Sequence, residues 1–116
     1  MKKVLYLSTC NTCQRILSEV DTEGFKLQDT KQEPASKDDI EFLRNHVDSY
    51  EDLINKRAQL WQQRGLKNQT LSEDDYKNLL LEHYTFIKRP IFIDGDQVFI
   101  GNSKKVVQAL KSHLGD

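Results

Sequence analysis

Residues 3–13 read KVLYLSTCNTC and predict the first strand, a short loop and the start of the first helix. Residues 3–7 form an apolar run of strand length, and the polar residues 8–9 end it. Asn11 or Thr12 can cap the helix, because their side chains accept hydrogen bonds from free N–H groups at a helix start. Helical spacing then links a set of apolar positions: Cys13, Ile16, Leu17 and Val20. Cys10 is therefore expected at the turn between strand and helix.

The middle of the chain predicts a short strand followed by helices. Residues 25–28 alternate apolar and polar side chains, as a half-buried strand does. Three serines are placed to cap helices: Ser36 with Asp39 three residues on, Ser49, and Ser72 with Asp75. The apolar faces of these helices comprise Ile40, Leu43 and Val47, then Leu53 and Ile54, then Tyr76, Leu79 and Leu80. Residues 64–69 are predicted to be a connection.

The C-terminal part returns to strands. Residues 91–93 and 98–100 are apolar and flank Asp94-Gly95-Asp96, which predicts a hairpin around an Asp-Gly turn. Ser103 is placed to cap a final helix with Val106, Val107 and Leu110 on its apolar face. We expect the first two strands to pair in parallel through the crossover helix and the last two to pair antiparallel.

This element order predicts an α/β fold, β-α-β, several helices, then β-β-α. It resembles the thioredoxin arrangement, a mixed sheet, with a helical insertion between its two halves. We expect a single thioredoxin-like domain over residues 1–116, in which residues 1–30 and 85–116 form the core and about 35–84 form the insertion.

Composition narrows the classes of function. The chain has 17 Lys and Arg residues against 18 Asp and Glu residues, a net charge of −1, so no concentrated basic face for direct nucleic-acid binding is expected. No apolar run reaches the length of about 18 residues that a membrane span needs. The apolar stretch at the N-terminus is also too short for a secretory signal, so we expect a cytoplasmic protein without a membrane partner.

Cys10 and Cys13 are the only cysteines in the sequence. A bridge between them would close a very short loop and add little stability, so a redox, catalytic or metal-binding role is favoured. At a helix N-terminus, free N–H groups and the helix dipole favour a thiolate at Cys10, and Cys13 is in reach to resolve a mixed disulfide. Cys13 also fits the apolar stripe, where a small core residue is the competing interpretation. Zinc needs four ligands, and the three histidines are isolated on different elements, so no metal is expected.

Arg89-Pro90 precedes the third predicted strand, where proline is tolerated at the first position. A plain strand start is the simplest interpretation. In thioredoxin-type domains, however, a proline at this place is typically cis and lies against the cysteine turn. Pro90 is the candidate for that cis bond, and Arg89 would then lie beside Cys10, where a guanidinium can stabilise a thiolate or bind an oxyanion.

Three segments together resemble the family of glutaredoxin-dependent arsenate reductases and the Spx and YffB proteins. They are CNTC at 10–13, LINKR at 53–57 and FIKRPIFID at 86–94. The resemblance implies a nucleophilic Cys10 and an anion-facing Arg89, with Thr12 and Arg57 as candidate anion-binding residues. Arsenate reductases of this family use three arginines around the oxyanion, and two of those positions fall on or near Asn55 and Gly101. A complete arsenate site is therefore not expected.

Three functions follow from this pattern. The first is a thiol-dependent oxidoreductase acting on a thiol or disulfide substrate, with no bound cofactor and with glutathione, a glutaredoxin or a thioredoxin as reductant. The second, implied by the resemblance to Spx, is a redox-sensing transcriptional regulator that binds the α subunit of RNA polymerase. The third is a thioredoxin-type domain whose cysteines are incidental.

Overall fold

The structure is a computed structural model that describes residues 1–115. Its helices and strands, in chain order, are β1 (Lys2–Tyr6), α1 (Asn11–Glu19), β2 (Lys26–Asp29), α2 (Lys37–Arg44), α3 (Gln59–Gln63), α4 (Glu73–Glu82), β3 (Ile91–Asp94), β4 (Gln97–Ile100) and α5 (Lys104–His113). Short 3-10 helices occupy Tyr50–Leu53, Leu66–Asn68 and Tyr84–Phe86. Among the described residues, no helix combines the length and the apolar character needed to cross a membrane.

The four strands form one mixed sheet in the order β2-β1-β3-β4. β1 pairs with β2 in parallel, with Val4 opposite Leu27, and with β3 in the antiparallel sense, with Val4 opposite Phe92. β3 and β4 form an antiparallel hairpin. The predicted fold class and both predicted strand pairings are therefore confirmed.

The chain folds as two compact units, Met1–Glu33 with the chain from Arg89 onward, and Pro34–Lys88. The first unit contains the sheet, α1 and α5. Its core is a cluster of Val4, Ile16, Phe92 and Leu110, with the Phe25 and Phe92 rings packed edge to face at 5.7 Å. This cluster packs the buried face of α1 against the sheet. The assignment of residues 1–116 to a single domain stays a prediction.

The second unit is helical and buries its own apolar side chains, among them Ile40, Leu43, Trp61, Leu80 and Phe86. The capping boxes predicted at its helix starts are confirmed. Ser36 Oγ accepts from the Asp39 N–H at 3.0 Å, and Ser72 Oγ accepts from the Asp75 N–H at 3.1 Å. Each carboxylate in turn accepts from the N–H of its serine, which satisfies two N–H groups per helix start.

Several local predictions need correction. Cys10 itself is the N-cap of α1, where Asn11 or Thr12 was expected, so the helix begins earlier than predicted. The hairpin loop is Gly95-Asp96, because Asp94 pairs with Gln97; Gly95 adopts a φ of +60°, which suits a glycine in the first loop position. The helix predicted after Ser49 is a single 3-10 turn, and α3 was not predicted at all.

Candidate functional site

Cys10 lies where β1 has ended and α1 has not yet begun. Its φ and ψ of −95° and 114° are extended, and its side chain is partly exposed. The Cys10 N–H donates to the Leu7 carbonyl at 3.0 Å, and the Cys10 carbonyl accepts from the Gln14 N–H at 3.1 Å. The first turn of α1 carries no acidic side chain that would compete for the positive end of the helix dipole. A negative charge on the Cys10 sulfur is therefore favoured by its position alone.

The loop before Cys10 is braced by side chains that the sequence reasoning missed. Gln14 Nε2 donates to the Ser8 carbonyl at 2.9 Å, and the Ser8 N–H donates to Asp29 Oδ1 at 3.3 Å. A hydrogen bond from the Ser8 hydroxyl is the main cause that lowers the pKa of Asp29. The Cys10 turn is thereby tied to α1 on one side and to the end of β2 on the other.

The sulfur of Cys10 has a lowered pKa. Partial burial acts to raise this pKa, but hydrogen bonds from the backbone N–H and the thiol of Cys13 lower it. A hydrogen bond from the Arg89 guanidinium and its positive charge lower it further, so the pKa of Cys10 lies below the ordinary value. The geometry thus favours a thiolate, the form of cysteine that reacts as a nucleophile.

Cys13 lies three residues further along, in the first turn of α1, and like Ile16 it is fully buried. Burial is the largest cause that raises the pKa of Cys13 to about 12, and the neighbouring Cys10 sulfur adds to the rise. The backbone N–H of Leu7 opposes the rise and does not cancel it. Both cysteines are free thiols in this structure. Cys13 therefore holds its proton and donates it toward Cys10.

Arg89 enters the site from the start of β3. It is half-buried, Pro90 is buried, and the peptide bond between them is cis, the conformation that the resemblance to thioredoxin-type domains implied. The guanidinium hydrogen-bonds the Cys10 sulfur. The structure thus brings together three of the residues selected from the sequence: Cys10, Cys13 and Arg89.

The two remaining site candidates lie in different units. Thr12 is half-buried in the first turn of α1. Arg57 belongs to the second unit, where its backbone N–H donates to Asn55 Oδ1 at 3.1 Å. Their anion-binding roles stay predictions. Within residues 1–115, no group of three or more His, Cys, Asp or Glu side chains is placed to hold a metal ion.

Comparison with known proteins places this chain in a family. The family model of the ArsC family matches residues 5–110. The global transcriptional regulator Spx of Bacillus subtilis (strain 168) is 25% identical over 108 residues, which make up 90% of this chain and 82% of that protein.

Solved structures agree on the fold. An ArsC family related protein from Bacteroides fragilis superposes with a TM-score of 0.81 at 16% identity, over 95% of this chain and 97% of that chain. A possible arsenate reductase from Streptococcus mutans UA159 superposes with a TM-score of 0.77 at 24% identity, over the same shares. At such identities these likenesses establish the thioredoxin-like fold. Because the family model covers nearly the whole chain, this protein is a member of the ArsC family.

Proposed function

We propose that this protein is a thiol-dependent oxidoreductase that works in the cytoplasm and uses Cys10 as its nucleophile. The observation that carries the proposal is the setting of the Cys10 sulfur, partly exposed at a helix start and hydrogen-bonded by the Arg89 guanidinium. A structural cysteine has no need of a cation at its sulfur, whereas a nucleophile gains reactive thiolate from one.

The proposed reaction begins at a disulfide substrate. The Cys10 thiolate attacks one sulfur, the substrate S–S bond breaks, and the second sulfur leaves as a thiolate that takes up a proton. Cys10 is then joined to the substrate in a mixed disulfide. A second thiol attacks the Cys10 sulfur, releases the remaining substrate thiol and forms a new disulfide with Cys10. A further cellular thiol then attacks that new disulfide and frees the Cys10 thiolate. The substrate gains two electrons in all, and two cellular thiol groups, from glutathione, a glutaredoxin or a thioredoxin, supply them by ending as one disulfide.

The identity of the second thiol depends on the pKa of Cys13. With a pKa of about 12, Cys13 offers very little thiolate near neutral pH, and burial remains the main reason once Cys10 is bonded to substrate. Attack by Cys13 is thus slow, and an external thiol resolves the mixed disulfide faster. The expected behaviour is that of a monothiol enzyme, with Cys13 as the slower resolving thiol.

Arsenate is not the substrate that we propose. By the resemblance, one of the three arginines that arsenate reductases of this family place around the oxyanion is matched by Arg89, and the other two positions fall on or near Asn55 and Gly101. One guanidinium leaves most of the charge on an arsenate oxyanion uncompensated, whereas it suffices for one thiolate.

A turnover assay with three substrates tests the proposal. A glutathione mixed disulfide, a small model disulfide and arsenate are each supplied to wild type, Cys10→Ser and Cys13→Ala, with glutathione and a glutaredoxin as reductants. We expect turnover of at least one disulfide, loss of that turnover in Cys10→Ser, and its retention in Cys13→Ala. Equal activity of wild type and Cys10→Ser would contradict the proposal. Turnover of arsenate would show that the proposed substrate class, a disulfide, is wrong.

A second candidate function is that of a redox-sensing regulator. The observation that favours it is the 25% identity to Spx over 90% of this chain. In this role, oxidised glutathione converts the Cys10 and Cys13 thiols into a disulfide and leaves as two molecules of reduced glutathione. The oxidised and reduced proteins then differ in affinity for the α subunit of RNA polymerase. Binding of purified RNA polymerase α subunit is measured in both states; equal affinity in the two states, or no binding in either, argues against the regulator.

A further inference from the structure

The hairpin that carries Arg89 continues beyond its last paired residues. Ile91 on β3 lies opposite Ile100 on β4, and one step further the Gly101 N–H donates to the Pro90 carbonyl at 2.9 Å. At the next residue the donor is a side chain: Asn102 Nδ2 donates to the Arg89 carbonyl at 3.1 Å. The carbonyls of Pro90 and Arg89 therefore accept hydrogen bonds from two consecutive residues, Gly101 and Asn102.

The side-chain donor matters because of the proline. Pro90 has no N–H, so the β3–β4 ladder lacks the main-chain donor that residue 90 would otherwise supply. Asn102 supplies a donor in the direction of Arg89 without needing the regular strand pairing. Arg89 lies two residues before the start of β3, and its carbonyl accepts this hydrogen bond from Asn102.

The position of the Arg89 backbone decides where its guanidinium can reach. The guanidinium acts on the Cys10 sulfur through a hydrogen bond and through charge, and both effects fall quickly as the two groups separate. The other group that acts on this sulfur is Cys13 of α1, through its N–H and its thiol. The contact of Asn102 is with the carbonyl of Arg89, so any effect of Asn102 on Cys10 would pass through Arg89.

We propose that Asn102 is a positioning residue that holds Arg89 within reach of the Cys10 sulfur. This inference rests on the proposed role of Cys10 as the nucleophile and adds a residue to that same site. The site then consists of a thiolate, a cation beside it, and an exposed amide that fixes the backbone of the cation.

The test is the pH profile of Cys10 alkylation by iodoacetamide. Four proteins are compared: wild type, Asn102→Ala, Arg89→Gln and the double variant, with Asn78→Ala as a matched control on the exposed face of α4. We expect Asn102→Ala to raise the pKa of Cys10 and to slow alkylation at pH 7 by about two- to tenfold, the range that one hydrogen bond can supply. Arg89→Gln raises the pKa at least as much. Asn78→Ala matches wild type.

The double variant separates positioning from a general effect on the fold. If Asn102 acts through Arg89, removing its amide changes nothing further once Arg89 is glutamine, so the double variant matches Arg89→Gln. Additive effects in the double variant would overturn the inference, as would a wild-type profile for Asn102→Ala. An ordinary pKa of Cys10 in the wild type would instead overturn the proposed function itself. Thermal unfolding of each variant checks that the fold is retained.

Discussion

The N-cap of α1 and the buried face of the same helix carry one cysteine each, in opposite environments. Cys10 is partly exposed, faces the Arg89 guanidinium and has a lowered pKa. Cys13 is fully buried and has a pKa of about 12. The two cysteines are only one helical turn apart in the chain. Because both are cysteines, the difference in their pKa values comes from their surroundings.

The comparison also shows how the two cysteines depend on each other. Cys13 keeps its proton because it is buried, and that proton hydrogen-bonds the Cys10 sulfur and lowers the pKa of Cys10. A second thiolate next to the first would be repelled by it. Within one CxxC motif, the buried cysteine therefore serves the exposed one as a hydrogen-bond donor, before any role in resolving a disulfide.

The largest expected effect is the difference in reactivity between the two thiols. At pH 7 a thiol with a pKa of about 12 is ionised to about one part in 10⁵, whereas Cys10 exceeds the few per cent of an ordinary cysteine. We expect native protein treated with limiting iodoacetamide to be labelled at Cys10 at least about 10³ times faster than at Cys13. Mass spectrometry of the digested protein measures the ratio.

The rates of alkylation of the two cysteines should also depend differently on pH. Labelling of Cys10 falls as the pH drops through its lowered pKa, whereas labelling of Cys13 begins only in strongly alkaline solution. Unfolding in urea should bring both thiols to a similar rate, since the environments that separate them are then lost. Comparable labelling of the two cysteines in the folded protein would break the comparison.

The next largest expected effect is a loss of stability when the buried face of α1 is changed. Ile16→Ala removes a fully buried side chain from the cluster with Val4, Phe92 and Leu110. The free energy of unfolding should fall by about 2–5 kcal/mol, the usual range for such a deletion. Urea denaturation measures this loss. The matched substitution Arg15→Ala, on the exposed side of α1, should cost much less, because it removes only a surface ion pair with Glu19.

The sequence predicted the parts of this molecule that depend on local pattern. The hairpin, the capping boxes at Ser36 and Ser72 and the strand-to-helix position of Cys10 follow from spacing and from capping chemistry. α3 was missed because it is five residues long and buries the side chain of Trp61 alone, so it has no apolar period to detect. The cap of α1 was placed too late because cysteine is not among the side chains that usually cap helices.

The remainder of the site depends on contacts between distant parts of the chain. Arg89 meets Cys10 because β3 lies next to β1 in the sheet, and that strand order cannot be deduced from either local segment. The sequence pointed to Arg89 through family resemblance. The bonds from Gln14 to Ser8 and from Asn102 to Arg89 end on carbonyl groups, which every residue has, so no residue type marks the acceptor.

The smallest expected effect tests the dependence of Cys10 on its neighbour. Cys13→Ala keeps an apolar side chain in the core and removes the thiol that hydrogen-bonds the Cys10 sulfur, while the backbone N–H and Arg89 remain. The pKa of Cys10 should rise, and alkylation at pH 7 should slow by about two- to threefold, as for one weak S–H donor. The rate of iodoacetamide labelling between pH 5 and 10 measures the shift. A fall in the pKa of Cys10 would mean that Cys13 opposes the thiolate. The hypothesis that the Cys13 thiol stabilises the Cys10 thiolate through a hydrogen bond would then be wrong.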